Sequence, residues 1–230
     1  MRKPIGCCFL VALAAAVLSP PLMAGVIPPI GLAPGSQYQL ILVTSSITPA
    51  TSSDIDYYNT FVTTELTGTP PGLGLPTGVT WHAVVSTATV DARDNAPSSG
   101  LPVYNTAGQL VAAAGIYTGS LQAPVYFDEA GDQYGVRNSA VWTGSDPTGI
   151  GIPGLTLGDP GGTSVVGAAG DPSGNWIDFD SHTPQTYDWA LYALSSPITF
   201  VPEPATLTLL ASALLALGGI RMHKRMRAAV

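Results

Sequence analysis

The chain predicts a mixed fold of short strands with one strong helix, carried outside the cell between two membrane-directed ends. Residues 37–44 alternate as a strand that is apolar on both faces. The segment from Ser53 to about Leu66 bears a helical apolar stripe. Gly, Pro, Ser and Thr cut the remainder into short apolar pieces, and each terminus carries an apolar run beside basic residues.

The first 24 residues have the three parts of a secretory signal peptide. Arg2 and Lys3 form a basic start, residues 7–18 an apolar stretch, and Leu22-Met23-Ala24 a small-residue exit, with cleavage expected between Ala24 and Gly25. Pro20-Pro21 ends the apolar run short of a membrane span. Cys7 and Cys8 both lie inside this segment, so the exported chain holds neither a disulfide nor a thiolate metal site. Its stability must come from an apolar core.

Residues 25–35 are rich in Pro and Gly and read as a flexible leader, and residues 36–200 as one exported domain. In residues 37–44, Tyr38, Leu40 and Leu42 share one face and Ile41 and Val43 the other, which predicts a central strand. Ser53 is placed to cap the helix with Asp56 three residues on, and Ile55, Tyr58, Val62 and Leu66 fall on its buried stripe. Residues 67–78 form a Pro/Gly loop, residues 81–86 a strand, and residues 87–95 a weak helix. Residues 101–104 and 108–112 flank a turn at 105–107, residues 123–127 lead into an acidic turn, and residues 140–143 form another strand. Residues 144–174 read as a long surface loop region, with closing strands at 175–178 and 188–194. There is no internal repeat.

Charge narrows the function classes. All fifteen acids fall within residues 25–204, against Arg93 and Arg137 alone, so the exported body is near −13. Nucleic-acid binding is excluded, because phosphate contact needs a basic face. The same field repels acidic polysaccharide unless divalent cations bridge the two.

At the C-terminus, Val201-Pro202-Glu203-Pro204 precedes sixteen apolar residues, 205–220, and then Arg221, Lys224, Arg225 and Arg227. As a helix the apolar run spans about 24 Å, slightly under a ~30 Å hydrocarbon core, and the basic stop favours the cytoplasmic side. Two prolines disfavour helix and sheet, holding Glu203 on an extended, accessible strand. This arrangement over residues 201–227 resembles the PEP-CTERM sorting signal of Gram-negative bacteria that make extracellular polysaccharide. The resemblance implies signal-peptidase cleavage, transient anchoring in the inner membrane, processing by an exosortase-type enzyme, and placement in the cell envelope or polysaccharide matrix.

A second resemblance covers about residues 36–196. It rests on Trp81-His82-Ala83-Val84-Val85-Ser86, on Pro102-Val103-Tyr104-Asn105 with Gly108-Gln109-Leu110, and on Val141-Trp142-Thr143-Gly144-Ser145-Asp146-Pro147-Thr148-Gly149. Trp176 and Leu191-Tyr192-Ala193-Leu194 complete it. The series resembles endostatin-like and related bacterial members of the C-type lectin-like fold. That resemblance implies a compact α+β domain whose first and last strands pair, with a long loop region on one side. The fold's usual disulfides, its basic heparin-binding surface and its calcium-dependent sugar motifs have no counterpart here.

Candidate chemistry is sparse. Asp128, Glu129 and Asp132, and separately Asp171, Asp178 and Asp180, offer loop oxygens that suit Ca²⁺, with Asp178 and Asp180 expected on one strand face. The same residues also make ordinary solvated Asp/Gly turns, and no EF-hand spacing is present. His82 and His182 are the histidines of the body; a hydrolytic triplet can be composed from His82, Ser86 and Asp91, but no nucleophile-elbow motif supports it and His82 reads as a structural or surface residue. Trp142 and Trp176, beside Gly-rich loops, are the expected sugar-stacking face. The leading expectation is a non-catalytic module binding carbohydrate or protein, with Ca²⁺ as its one candidate cofactor. A structural matrix component and a secreted hydrolase are the alternatives.

Overall fold

The protein is described by a computed structural model over residues 27, 29, 31–68, 74–98, 100–134 and 140–201. The signal peptide with Ala24 and Gly25, and the sorting segment with Pro202, Glu203, Pro204, Arg221, Lys224, Arg225 and Arg227, lie outside the described residues; Val201 ends them and is exposed. No helix among the described residues is long and apolar enough to cross a membrane.

The architecture is mixed α+β, mostly sheet with two helices. In chain order the elements are β1 (Gln37–Val43), α1 (Ile55–Gly68), β2 (Trp81–Ala83), α2 (Ala92–Asn95), β3 (Val103–Tyr104), β4 (Leu110–Ala112), β5 (Ala140–Trp142), β6 (Thr163–Ala168), β7 (Asp180–Pro184), β8 (Ala190–Ser195) and β9 (Ile198–Thr199). One sheet runs β4-β3-β1-β8-β5-β6-β7, with β2 also on β8 and β9 on β1. β1 and β8 pair antiparallel, Ile41 opposite Leu194 and Val43 opposite Tyr192. β9 then continues antiparallel along the start of β1. Buried Gln39 bridges the break between β8 and β9, donating from Nε2 to the Ser195 carbonyl at 2.8 Å and the Pro97 carbonyl at 3.1 Å.

Both faces of the central strands are covered, which explains their apolar character on both sides. Leu40 and Leu42 of β1 and Leu191 and Ala193 of β8 pack beneath α1, against Tyr58, Val62 and Leu66. Ile41 and Val43, with Tyr192 and Leu194, face a second apolar layer built largely from coil, including Ile116, Leu121, Val125 and Trp176. The α1 stripe therefore packs as its periodicity predicts. Its cap differs: Asp54, not Ser53, accepts the Asp56 N–H at 3.0 Å through Oδ1, two positions into the helix as an N-cap does.

Three expectations are corrected. Residues 163–168, read as surface loop, form β6, buried from Ser164 onward between β5 and β7. Its flanking glycines dilute the strand pattern, and Val165-Val166 is its only β-branched apolar pair. Residues 175–178, read as a strand, instead hold a 3₁₀ turn at Gly174–Trp176, where the Ser173 hydroxyl accepts from Asn175 N. The strand there is β7, beginning at Asp180 on the edge of the sheet, where a polar sequence ending in Pro184 is tolerated. The helix expected over 87–95 shortens to the single turn of α2.

Candidate functional site

Trp142 and Trp176 do not form a binding face, which corrects the expectation for both. Each is fully buried. Trp142 points beneath α1 and donates from Nε1 to the Thr48 carbonyl at 2.9 Å. Trp176 lies on the opposite face of the sheet, its ring 5.5 Å from that of Tyr192. Trp142, in a strand covered on both sides, and Trp176, in a turn packed onto the sheet, have no exposed surface to offer a ligand.

The acidic residues do not converge either. Asp128 Oδ1 accepts the N–H groups of Ala130 and Asp132, both at 2.9 Å, so it closes its own turn. Glu129 turns away from that turn and is buried against Ser45, accepting its N–H at 3.0 Å and also its hydroxyl. Glu65 accepts from the same hydroxyl at 3.2 Å. Asp171 binds Ser173 N and Asn175 Nδ2, and the Ser173 hydroxyl, its N–H and Asn175 together hold its carboxyl below the usual range. Asp180 accepts from His182 N at 3.2 Å. Asp178 precedes β7, so the two acids do not share a strand face. Among the described residues no group of three or more His, Cys, Asp or Glu side chains is placed to hold a metal.

Partial burial, followed by the nearby Asp146 carboxylate, raises the Asp178 pKa. A raised value means that folding favours the protonated acid, so its contribution is lost as pH rises through the carboxylate range. Asp178→Asn is therefore expected to raise the melting temperature near neutral pH. The gain disappears in acid, where both side chains are neutral. Thermal unfolding of both proteins across that range checks this, and a constant difference at every pH contradicts it.

The hydrolytic triplet is not assembled. Ser86 Oγ is buried, bonded to Ser145 Oγ at 2.7 Å and to the Ala92 N–H at 2.8 Å. Asp91 Oδ1 accepts from Gly151 N at 2.8 Å, and His82 Nδ1 has no hydrogen-bond partner among the described residues. These contacts brace a turn. They do not activate a nucleophile, because no base reaches Ser86.

What the surface does offer is an open groove of about 620 Å³ along the outer side of α1. Tyr57 and Phe61, four residues apart and thus neighbours on one helix face, form its apolar floor. Tyr57 is 43% exposed, and its hydroxyl is fixed 2.9 Å from Thr48 Oγ1 while its ring stands edge-on to Tyr58 at 5.1 Å. Thr60 and Thr64 add hydroxyls, and Asp54 and Asp56 add carboxylates at the N-terminal end. Ser46 and Glu65 close the far side. Sequence reasoning missed this site, although it left a trace. Once Ile55, Tyr58, Val62 and Leu66 are assigned to the buried stripe, Tyr57 remains on the exposed side, beside Phe61 at the stripe's edge, which packs partly against the same core.

Such a floor can stack against the C–H faces of a sugar ring while the rim accepts hydrogen bonds from its hydroxyls. No protein family and no curated protein gives a match to this chain.

Proposed function

We propose that the chain is an exported, non-catalytic surface or matrix module that binds extracellular glycan along α1. In this reading the PEP-CTERM-like segment at residues 201–227 delivers the protein to the cell envelope or polysaccharide matrix after exosortase-type processing. The domain itself is read as C-type lectin-like. The antiparallel pairing of β1 with β8, which brings the first and last long strands together, supports that reading, as does the large share of coil over one sheet face. Fold likeness does not carry the ligand.

The single observation that carries glycan binding is the aromatic pair Tyr57, anchored through its hydroxyl to Thr48, and Phe61, packed partly on the core, flooring an open groove with hydroxyl and carboxylate rims. An open groove suits a chain laid along it, as an extended polysaccharide would be. Truncating one stacking aromatic should remove roughly 1 kcal/mol or more of binding, and truncating both a larger share.

The test is fractionation of the native host. The processed parent protein is expected in the polysaccharide-bound fraction, Tyr57→Ala with Phe61→Ala in the free extracellular fraction, and replacement of Pro202-Glu203-Pro204 by alanines in the inner membrane. Equal retention of the aromatic double variant in the polysaccharide fraction rejects the groove. Normal processing of the alanine triplet rejects the sorting assignment.

A further inference from the structure

Among the described residues, the charged side chains that line the groove flooring on Tyr57 and Phe61 are acidic. Asp54 and Asp56 are exposed at its N-terminal end, and no described basic side chain lines it. Arg93, the one Lys or Arg among the described residues, lies in α2 with Asp91 3.8 Å away, outside the groove lining. The Asp54 carboxylate uses Oδ1 to cap α1, which leaves Oδ2 for a ligand; the Asp56 N–H is the donor in that cap. The exported body around the groove is itself near −13. Such a field raises the local concentration of cations and opposes anions before contact is made.

Resting on the glycan reading above, we infer that this groove selects polysaccharide bearing protonated primary amines, such as de-N-acetylated hexosamine chains. An ammonium group reaches Asp54 Oδ2 or Asp56 while the ring face stacks on Tyr57 or Phe61. Cation attraction to the aromatic face adds in the same direction. N-acetylation removes the charge, and a hexuronate replaces it with one of the wrong sign. A basic peptide shares the charge. The site, however, is a helix face without a free strand edge for backbone pairing, and its floor is aromatic. The missing strand edge removes one common mode of peptide recognition, and a peptide remains an outcome of the test below.

Full-length protein in a sugar-free detergent is titrated with four probes: a glucosamine hexamer, an N-acetylglucosamine hexamer, a galacturonate hexamer and hexalysine. The glucosamine hexamer is expected to bind about tenfold more tightly than its N-acetylated counterpart at low ionic strength, from two exposed charge contacts. That preference should shrink at ~0.15 M salt. Asp54→Asn with Asp56→Asn should bind both hexosamine probes alike. Asn keeps the capping role at position 54, so an unchanged melting temperature is expected beside the lost preference.

Equal affinity of the parent protein for both hexosamine probes, lowered by Tyr57→Ala, overturns the amine selectivity and leaves the glycan groove standing. Tightest binding of the galacturonate hexamer overturns the selectivity in the same way. Tightest binding of hexalysine overturns it in favour of a basic peptide. Absence of binding to every probe overturns the glycan reading itself.

Discussion

Trp142→Ala is expected to lower the melting temperature by roughly 10 °C, with the loss seen in stability and not in ligand binding alone. Burial sets the size: Trp142 has no exposed surface and packs among the residues beneath α1. Truncating a buried tryptophan costs about 3–5 kcal/mol, from lost transfer energy and the cavity left behind. Each kcal/mol moves the midpoint of a domain this size by about 2–4 °C. The indole also donates to the Thr48 carbonyl, which in turn accepts the Trp189 N–H in a bridge that pins the β1–α1 connection. Trp142→Phe keeps much of the volume and loses that bond, so about 1–2 kcal/mol is expected. Thermal unfolding of both variants separates the two contributions. A Trp142→Ala protein that melts with the parent while failing to bind glycan would return Trp142 to the binding face.

That expectation marks where the chain could be read and where it could not. Features set by neighbouring residues were legible. The α1 stripe, the doubly apolar β1 and the closing strand β8 depend on periodicity within a few turns or pleats, and those elements stand where the pattern places them. Trp142 was legible as a strand residue too. Its burial was not, because it depends on α1 crossing that face, a contact between positions far apart in the chain. Trp176 is a sharper case. The residues around it resemble a strand, yet the Ser173 hydroxyl and the carbonyl of Ser173 fold them into a 3₁₀ turn. β6 was hidden for the opposite reason: a real strand held by partners on both sides, whose single apolar β-branched pair, Val165-Val166, is set between the glycines at 161–162 and Gly167. The acid clusters failed as sites because Asp128, Asp171 and Asp180 each accept a local N–H, while Glu129 is drawn off to the distant Ser45.

Gly167→Ala is expected to be at least as damaging as the loss of Trp142, although it adds only a methyl group. Gly167 lies in β6 opposite Val141, where the 3₁₀ turn crosses so closely that a Cβ would stand 2.0 Å from the Trp176 carbonyl oxygen and 2.7 Å from its carbon. Ordinary contact begins above 3.4 Å, so the turn must retreat by more than 1 Å or β6 must leave its register. Neither is free to do so. Tyr192 donates to the Trp176 carbonyl at 2.7 Å and Thr143 Oγ1 to the Ile177 carbonyl at 2.6 Å, and both donors are fully buried, Tyr192 in β8 and Thr143 just past β5. Moving the turn therefore adds unsatisfied buried groups to the steric cost, for a total on the order of 4 kcal/mol. Gly162→Ala serves as the control: its φ is +72° but nothing lies within 4 Å of the added carbon, so about 1 kcal/mol of backbone strain is the whole expected effect. Combining Gly167→Ala with Tyr192→Phe sharpens the test. A turn already driven off its carbonyl anchor has little left to lose, so the double variant should be less destabilised than the two single losses added together. Strict additivity, or a Gly167→Ala protein melting within about 2 °C of the parent, would show that the turn does not press on β6 as described.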